Sequence, residues 1–437
     1  MNIYYPFFIA FTLVVSLSQP MGSFAMETPG RGSGLSLLIK EAFEKNQDIK
    51  AMESAIDSLR SKASFEGALT DPQIGFSLSN VPIDSLSFRD EAMTQKQIFV
   101  GQKFPWPGKR ALKSQSVDFD AKKLEHQLRS KKLSMIRTLT ENYYDLGFIG
   151  QSLVLNRNIY ELVQKLIQVA ETRYTSGKGN RQDILMARME LDKREDERIM
   201  LENAYRQIED RINGLLNRSN YLPVAHNDTP GVSESLPHIP DLVEQALENN
   251  PELAVLKLDI EKNKAQRMLA QKDYYPDVDM RLTYGQRDDD PMGKTRTDFV
   301  SLSAGLSIPL WKHSRQDKNL AAQESAVQSA TLKLRNLQSR IPHDVDRLAT
   351  DIRETIRRYT LYTNKLIPTA KDIARSAQSD YEVGKSEFST LISSQIKALT
   401  LELEATNFLF LIKKKRAELN ELVGLPLTPN TLTRTMP

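Results

Sequence analysis

Histidines are the residues of this chain most able to bind a metal or carry a proton, and its five stand apart, at His126, His226, His238, His313 and His343. None forms the H-x-x-x-H pair of a helical zinc site. Cysteine is absent, which removes thiolate ligands, nucleophilic thiols, disulfides and a lipid anchor attached through cysteine. Gly177-Lys178 lacks the upstream glycine of a phosphate-binding loop and fits a helical hairpin tip better. Gly30 to Gly34 (GRGSG) is a linker, not a nucleophile elbow. Carboxylates are plentiful but lie along long polar–apolar segments, as solvated helices require. No constellation makes an active site, so neither an enzyme nor a cofactor or metal is expected.

The elements around these residues are those of a large folded chain. Its 437 residues are 40% hydrophobic and 26% charged, with a formal charge of only +3, so it can bury a core. The basic run between Lys96 and Arg137 is interrupted by Asp118, Asp120 and Glu125 and reads as a solvated helix face. A nucleic-acid partner is not expected. At the N-terminus, Phe7 to Leu17 is an apolar run of signal-peptide length, and Ser23-Phe24-Ala25 is a small-x-small cleavage site. A signal peptide over 1–25 is expected, with Met26 as the mature start, although no Lys or Arg precedes Arg31. No later run has the 18 or more apolar residues of a membrane helix, so any membrane part must be built of strands.

The chain is written twice. Leu38-Ile-Lys-Glu-Ala-Phe-Glu-Lys-Asn46 matches Leu242-Val-Glu-Gln-Ala-Leu-Glu-Asn-Asn250, and the same offset carries Pro72 to Pro276 and Pro105 to Pro309. After a short indel, Tyr174 pairs with Tyr381, Gly177 with Gly384, Asn213 with Asn420 and Leu215 with Leu422. One register held this long marks a tandem duplication. The expected units are a linker over 26–34, a first repeat over 35–222, a linker over 223–240, a second repeat over 241–427 and a tail over 428–437.

Each copy has one grammar: helix, strand, loop, strand, long helix, tight turn, returning helix. Strands are expected at about 73–80 and 95–104, then 278–286 and 298–308. Val278, Met280, Leu282 and Tyr284 alternate with Asp279, Arg281 and Thr283, while Ile74, Phe76 and Leu78 alternate with small and polar residues. The strand from Lys96 to Phe104 alternates poorly and is placed by its repeat position. Such lengths suit tilted transmembrane strands, joined by polar loops over 81–93 and 287–297. The long segments keep a heptad seam instead, as in Leu146, Leu153, Val163 and Ala170, or Leu391, Ala398, Leu401, Ala405 and Phe408. From Arg110 to Tyr174 no proline intervenes, and a continuous helix there would be roughly 95–100 Å long.

Four strands cannot close a barrel, and open strand edges are not tolerated in lipid. Several chains must therefore share one sheet. Two would supply eight strands and three would supply twelve, and the polar face carrying Asp279, Arg281 and Thr283 favours the wider, watery lumen. The rival architecture is a soluble sheet on a periplasmic coiled-coil scaffold.

Tyr174-Thr-Ser-Gly177 followed by Asp183-Ile-Leu, Tyr381-Glu-Val-Gly384, and Leu419-Asn-Glu-Leu-Val-Gly424 resemble the motifs of the TolC-type outer-membrane efflux factors. The resemblance covers about residues 35–427. It implies a mainly α protomer with a transmembrane β part. Three such protomers make a twelve-stranded β-barrel, four strands per chain, continued by a long coiled-coil α-helical barrel. It also implies a homotrimer in outer-membrane lipid, spanning the periplasm to meet an adaptor (membrane fusion) protein and an inner-membrane efflux pump that supplies the energy. Asn80 to Asp84, Met93 to Gln97 and Gln102 to Arg110 resemble the heavy-metal branch, which serves resistance–nodulation–division pumps. A drug-efflux or type I secretion duct of the same family is the alternative. The chain has 13 methionines, among them Met93 and Met292 near the outer loops. Methionine suits copper(I), but in helices it more often packs.

By the same resemblance, Tyr174, Gly177, Tyr381 and Gly384 mark the adaptor-docking tips. Asp183 falls where the family often has an acidic residue lining the channel entrance, a ring of three in a trimer. It equally suits the first turn of the returning helix, whose dipole favours a negative charge. Ser386, Thr390 and Ser393 replace charged residues of a closing network in some relatives, so an ionic lock at the second tip is in doubt.

Overall fold

The computed structural model describes residues 34–219, 221–224, 226 and 236–425. The signal peptide, its cleavage site after Ala25 and the tail over 428–437 lie outside the described residues, as do most of linker 26–34 and much of linker 223–240.

The first copy runs α1 (Gly34–Lys45), α2 (Gln47–Gly67), β1 (Gln73–Ser79), β2 (Gln95–Phe104), α3 (Lys109–Thr175) and α4 (Arg181–Leu215). The second runs α5 (Ile239–Asn249), α6 (Pro251–Lys272), β3 (Val278–Gln286), β4 (Phe299–Leu306) and α7 (Gln316–Leu361). A π-helical turn (Tyr362–Leu366), α8 (Ile367–Glu382) and α9 (Phe388–Val423) complete it.

The single leading helix expected in each copy is two helices, broken at an asparagine. Asn46 leaves the helical region and its side chain accepts the amides of Asp48 and Ile49, while Asn250 does the same for Glu252 and Leu253. Each is an N-cap that satisfies amides the new helix would leave unpaired. The same side chains bind the end of the returning helix. Asn46 Nδ2 donates to the Leu215 carbonyl at 3.2 Å, and Asn250 Nδ2 to the Leu422 carbonyl at 2.8 Å. One device thus closes both copies.

The strands form one antiparallel sheet in the order β1-β2-β3-β4. Ile74 faces Val100, Val100 faces Leu282 and Leu282 faces Leu302, so one apolar face runs across both copies. These side chains are exposed in the single subunit. The poor alternation of β2 has a local cause. Phe99 lies on the opposite face, over Gly75, where a Cβ would stand 2.3 Å from its ring. The Arg281 guanidinium stacks on the same ring at 4.4 Å.

Below the sheet the helices are long. α3 spans 67 residues without a break, about 100 Å at 1.5 Å per residue. Its counterpart is interrupted by the π-helical turn just before Pro368. Proline donates no amide and crowds the carbonyl four residues back, and the wider turn relieves both. Each copy has its own core. Leu38, Ile49, Leu139, Tyr143 and Ile212 meet in the first, and Leu242, Leu253, Ile341, Leu348 and Leu419 in the second. A third core at the far end takes Val163, Ala170 and Ala187 from the first copy with Tyr381, Phe388 and Leu391 from the second. No helix among the described residues is long and apolar enough to cross a membrane.

Candidate functional site

The far end of the molecule is made by two hairpin tips, one from each copy. Both long helices stop the same way. Gly177 and Gly384 take left-handed φ of 70° and 78°. Gly177 N–H donates to the Tyr174 carbonyl at 3.1 Å and Lys178 N–H to that of Arg173 at 2.8 Å. Gly384 and Lys385 repeat the pattern on Tyr381 and Asp380, at 3.0 and 2.8 Å. This is the Schellman stop, in which a left-handed glycine lets the chain turn back and satisfy the last carbonyls.

The two tips pack together. Tyr381 is 4% exposed, its ring edge-on to Phe388 at 5.6 Å, whereas its repeat partner Tyr174 is 47% exposed. Arg173 joins the hairpins. Its guanidinium lies 4.6 Å from the Tyr381 ring, and Nη1 donates to the carbonyls of Tyr381 at 2.8 Å and Glu382 at 3.2 Å. Nη2 turns back to the Lys178 carbonyl at 3.3 Å. Burial pushes the Tyr381 hydroxyl above its usual pKa, the Asp183 charge adds to this, and Arg173 opposes it.

Asp183 sits in the first turn of α4, half-buried, behind the N-cap Asn180, whose side chain makes no capping bond. Its amide donates to the Asn180 carbonyl at 3.2 Å, so the carboxylate lies where the helix dipole favours negative charge. It also lines an open cleft of about 500 Å³ between the tips, with Arg173, Gly177, Tyr381, Gly384 and Glu387. The structure therefore brings Gly177, Tyr381, Gly384 and Asp183 to one cleft and leaves Tyr174 outside it, exposed in the single subunit.

Arg173 was not singled out from the sequence. The available signal was asymmetry: where the first copy has Arg173 before its tip tyrosine, the second has Asp380. Among the described residues no three His, Cys, Asp or Glu side chains gather as a metal site.

A four-stranded sheet with an exposed apolar face, carried on helical hairpins far longer than a globular core needs, defines a subunit of an outer-membrane channel. The outer membrane efflux protein family model matches residues 38–218 and again 242–425. The chain belongs to that family, and its place is the outer membrane, with the hairpins extending into the periplasm. Among solved structures it is similar to the outer-membrane channel OprN (TM-score 0.76, 15% identity, 90% of each chain covered). It is also similar to CusC, described as forming a transmembrane channel (TM-score 0.73, 13% identity, 90% of this chain and 92% of that one). The outer membrane protein VceC of Vibrio cholerae is a third (TM-score 0.74, 14% identity, 90% of this chain and 97% of that one). At these identities the likeness establishes the fold. No curated protein matches the sequence.

Proposed function

We propose that three copies of this chain form one duct that carries heavy-metal cations from an inner-membrane pump and a periplasmic adaptor across the outer membrane. The observation that carries the reading is a sheet apolar on one face and open at both edges. β1 and β4 are antiparallel edge strands, so β4 of one subunit can pair with β1 of the next and the ring closes without an edge. Three subunits supply twelve strands, within the range of outer-membrane barrels. The exposed face of Ile74, Phe76, Val100, Leu282 and Leu302 then meets lipid, and Arg281 and Asp279 face the lumen.

The tips are the adaptor-docking surface in this reading, with Tyr174 exposed on it and Arg173 holding the two hairpins at a set spacing. Asp183 from three subunits would ring the entrance and draw cations toward it. The choice of metals rests on the resemblance of the segment from Asn80 to Arg110 to the heavy-metal branch. Its two halves pin each other in space: Asn80 takes a φ of 55°, donates to the Met93 carbonyl at 3.1 Å and accepts from Thr94 Oγ1 at 2.8 Å. Selection among substrates belongs to the pump, since a duct wall meets its cargo in water.

Mass measurement in mild detergent tests the assembly, with three chains expected. A strain lacking the protein should become sensitive to copper, silver, zinc, cobalt or cadmium while its tolerance of dyes and detergents changes little. Collapse of tolerance to organic compounds with intact metal tolerance would mean a drug-efflux duct instead.

A further inference from the structure

The two copies meet inside the chain, and that joint shows what the outer ends lack. Where β2 runs into α3, Trp106 stacks on Tyr275, just ahead of β3, with ring centroids 4.8 Å apart. Lys109, in the first turn of α3, reaches Asp277 at 2.9 Å and Asp273 at 3.4 Å. Lys262 of α6 continues the contact to Asp120 of α3 at 2.8 Å. An aromatic and basic strand-to-helix joint is thus seated on the acidic approach to the next strand.

The second copy ends in the same kind of joint, β4 into α7, at the open edge of the sheet. Trp311 is 75% exposed and Leu310 72%, with Lys312 and Arg315 just beyond. At the opposite edge, the end of α2 and the approach to β1 carry Phe65, 76% exposed, and Leu69, 41% exposed, beside Glu66 and Asp71. Among the described residues, Arg315, Glu66 and Asp71 form no ion pair within the subunit, and Lys312 acts on Asp317 only beyond ion-pair distance.

We propose that the β4–α7 joint of one subunit seats on the α2–β1 approach of the next. Leu310 and Trp311 pack against Phe65 and Leu69, and Lys312 and Arg315 face Glu66 and Asp71. The inference rests on the closed-ring reading above and names the contact that ring makes beneath the barrel. Strand direction requires the neighbourhood. Within the chain the start of β3, Val278, lies opposite the ends of β2 and β4, at Phe104 and Leu306. Antiparallel pairing of β4 with the next β1 therefore brings the end of one to the start of the other. The linkers leaving those ends become neighbours, as they do at Trp106 and Tyr275. An aromatic belt at the lipid boundary would also expose a tryptophan, but it gives no reason for acidic residues opposite the basic ones.

The chain has no cysteine, so paired cysteines can be introduced without background. Phe65→Cys with Trp311→Cys, and independently Leu69→Cys with Leu310→Cys, are to be made in the full chain and oxidised in outer membranes. Either pair should convert the monomer band into a covalent trimer on non-reducing gels, which the single variants do not. The chain has 2 tryptophans, so Trp106→Phe leaves Trp311 as the reporter, and its emission should resist quenching by brominated phospholipid. A three-chain mass with neither pair cross-linking overturns the inference, and bromine quenching then assigns Trp311 to lipid while the ring stands. A single-chain mass in mild detergent overturns the ring itself, and the contact falls with it.

Discussion

Arg173 and Tyr381, one from each copy of the duplication, are locked face to face: the guanidinium lies 4.6 Å from the ring while Nη1 binds the tyrosine's own carbonyl at 2.8 Å. A cation over a ring and a charged donor on a carbonyl act here through one side chain. The contact holds the second hairpin against the first at the end of the helices away from the sheet.

Arg173→Ala should loosen the tips without touching the barrel. Hydrogen bonds to charged groups contribute about 1.5–3 kcal/mol each, and the half-exposed site brings the sum to the low end. Amide hydrogen exchange across 381–388 should accelerate roughly tenfold or more, with β1–β4 unchanged. Arg173→Lys should restore little, because an ammonium cannot both stack and fork. Unchanged exchange at the tip would show that the apolar core around Phe388 holds the hairpins unaided.

Asp183→Asn distinguishes an entrance charge from a helix charge. If Asp183 is one of three carboxylates in a ring, its loss should lower cation selectivity in planar-bilayer recordings while folding is retained. If it only serves the α4 dipole, selectivity stays and stability drops by about 0.3–1 kcal/mol.

The glycines that end the long helices should differ in tolerance. A Cβ on Gly177 meets nothing within 4 Å, so alanine there costs only the left-handed strain, about 1 kcal/mol. A Cβ on Gly424 would stand 2.3 Å from the Asn249 carbonyl oxygen, adding about 1–3 kcal/mol of overpacking. Thermal midpoints of Gly177→Ala and Gly424→Ala should rank in that order. Bulky residues at Gly177 or Gly384 should abolish efflux while leaving assembly intact, and normal export by such variants would remove the tips as the docking surface.

Acid should weaken the joint between α1 and the turn that follows α4. Arg218 holds Glu41 by hydrogen bonds of 2.6 and 3.0 Å. That bond draws the carboxyl from its ordinary 4.5 to about 2 against the upward push of burial, with Lys45 helping. A carboxylate lowered by folding contributes stability that is complete above about 4.5 and lost as pH falls through about 2. Glu41→Gln should therefore lower the thermal midpoint at pH 7 and converge with the parent near pH 2. A constant gap at both pH values would assign the effect to packing.

The duplication, the period of each segment and the stops at Gly177 and Gly384 were legible in the sequence because near neighbours decide them. Heptad spacing from Leu146 to Ala170 specifies a helix, alternation from Val278 to Tyr284 specifies a strand, and glycine alone enters the left-handed turn freely. Tertiary structure decided what equivalent residues would meet. Tyr174 and Tyr381 share a motif, yet one is solvated and the other lies under Arg173. Phe99 breaks the alternation of β2 because Gly75 on the neighbouring strand leaves room for its ring. Two copies of one pattern have the same local preferences, and only the packing of one against the other makes their environments differ.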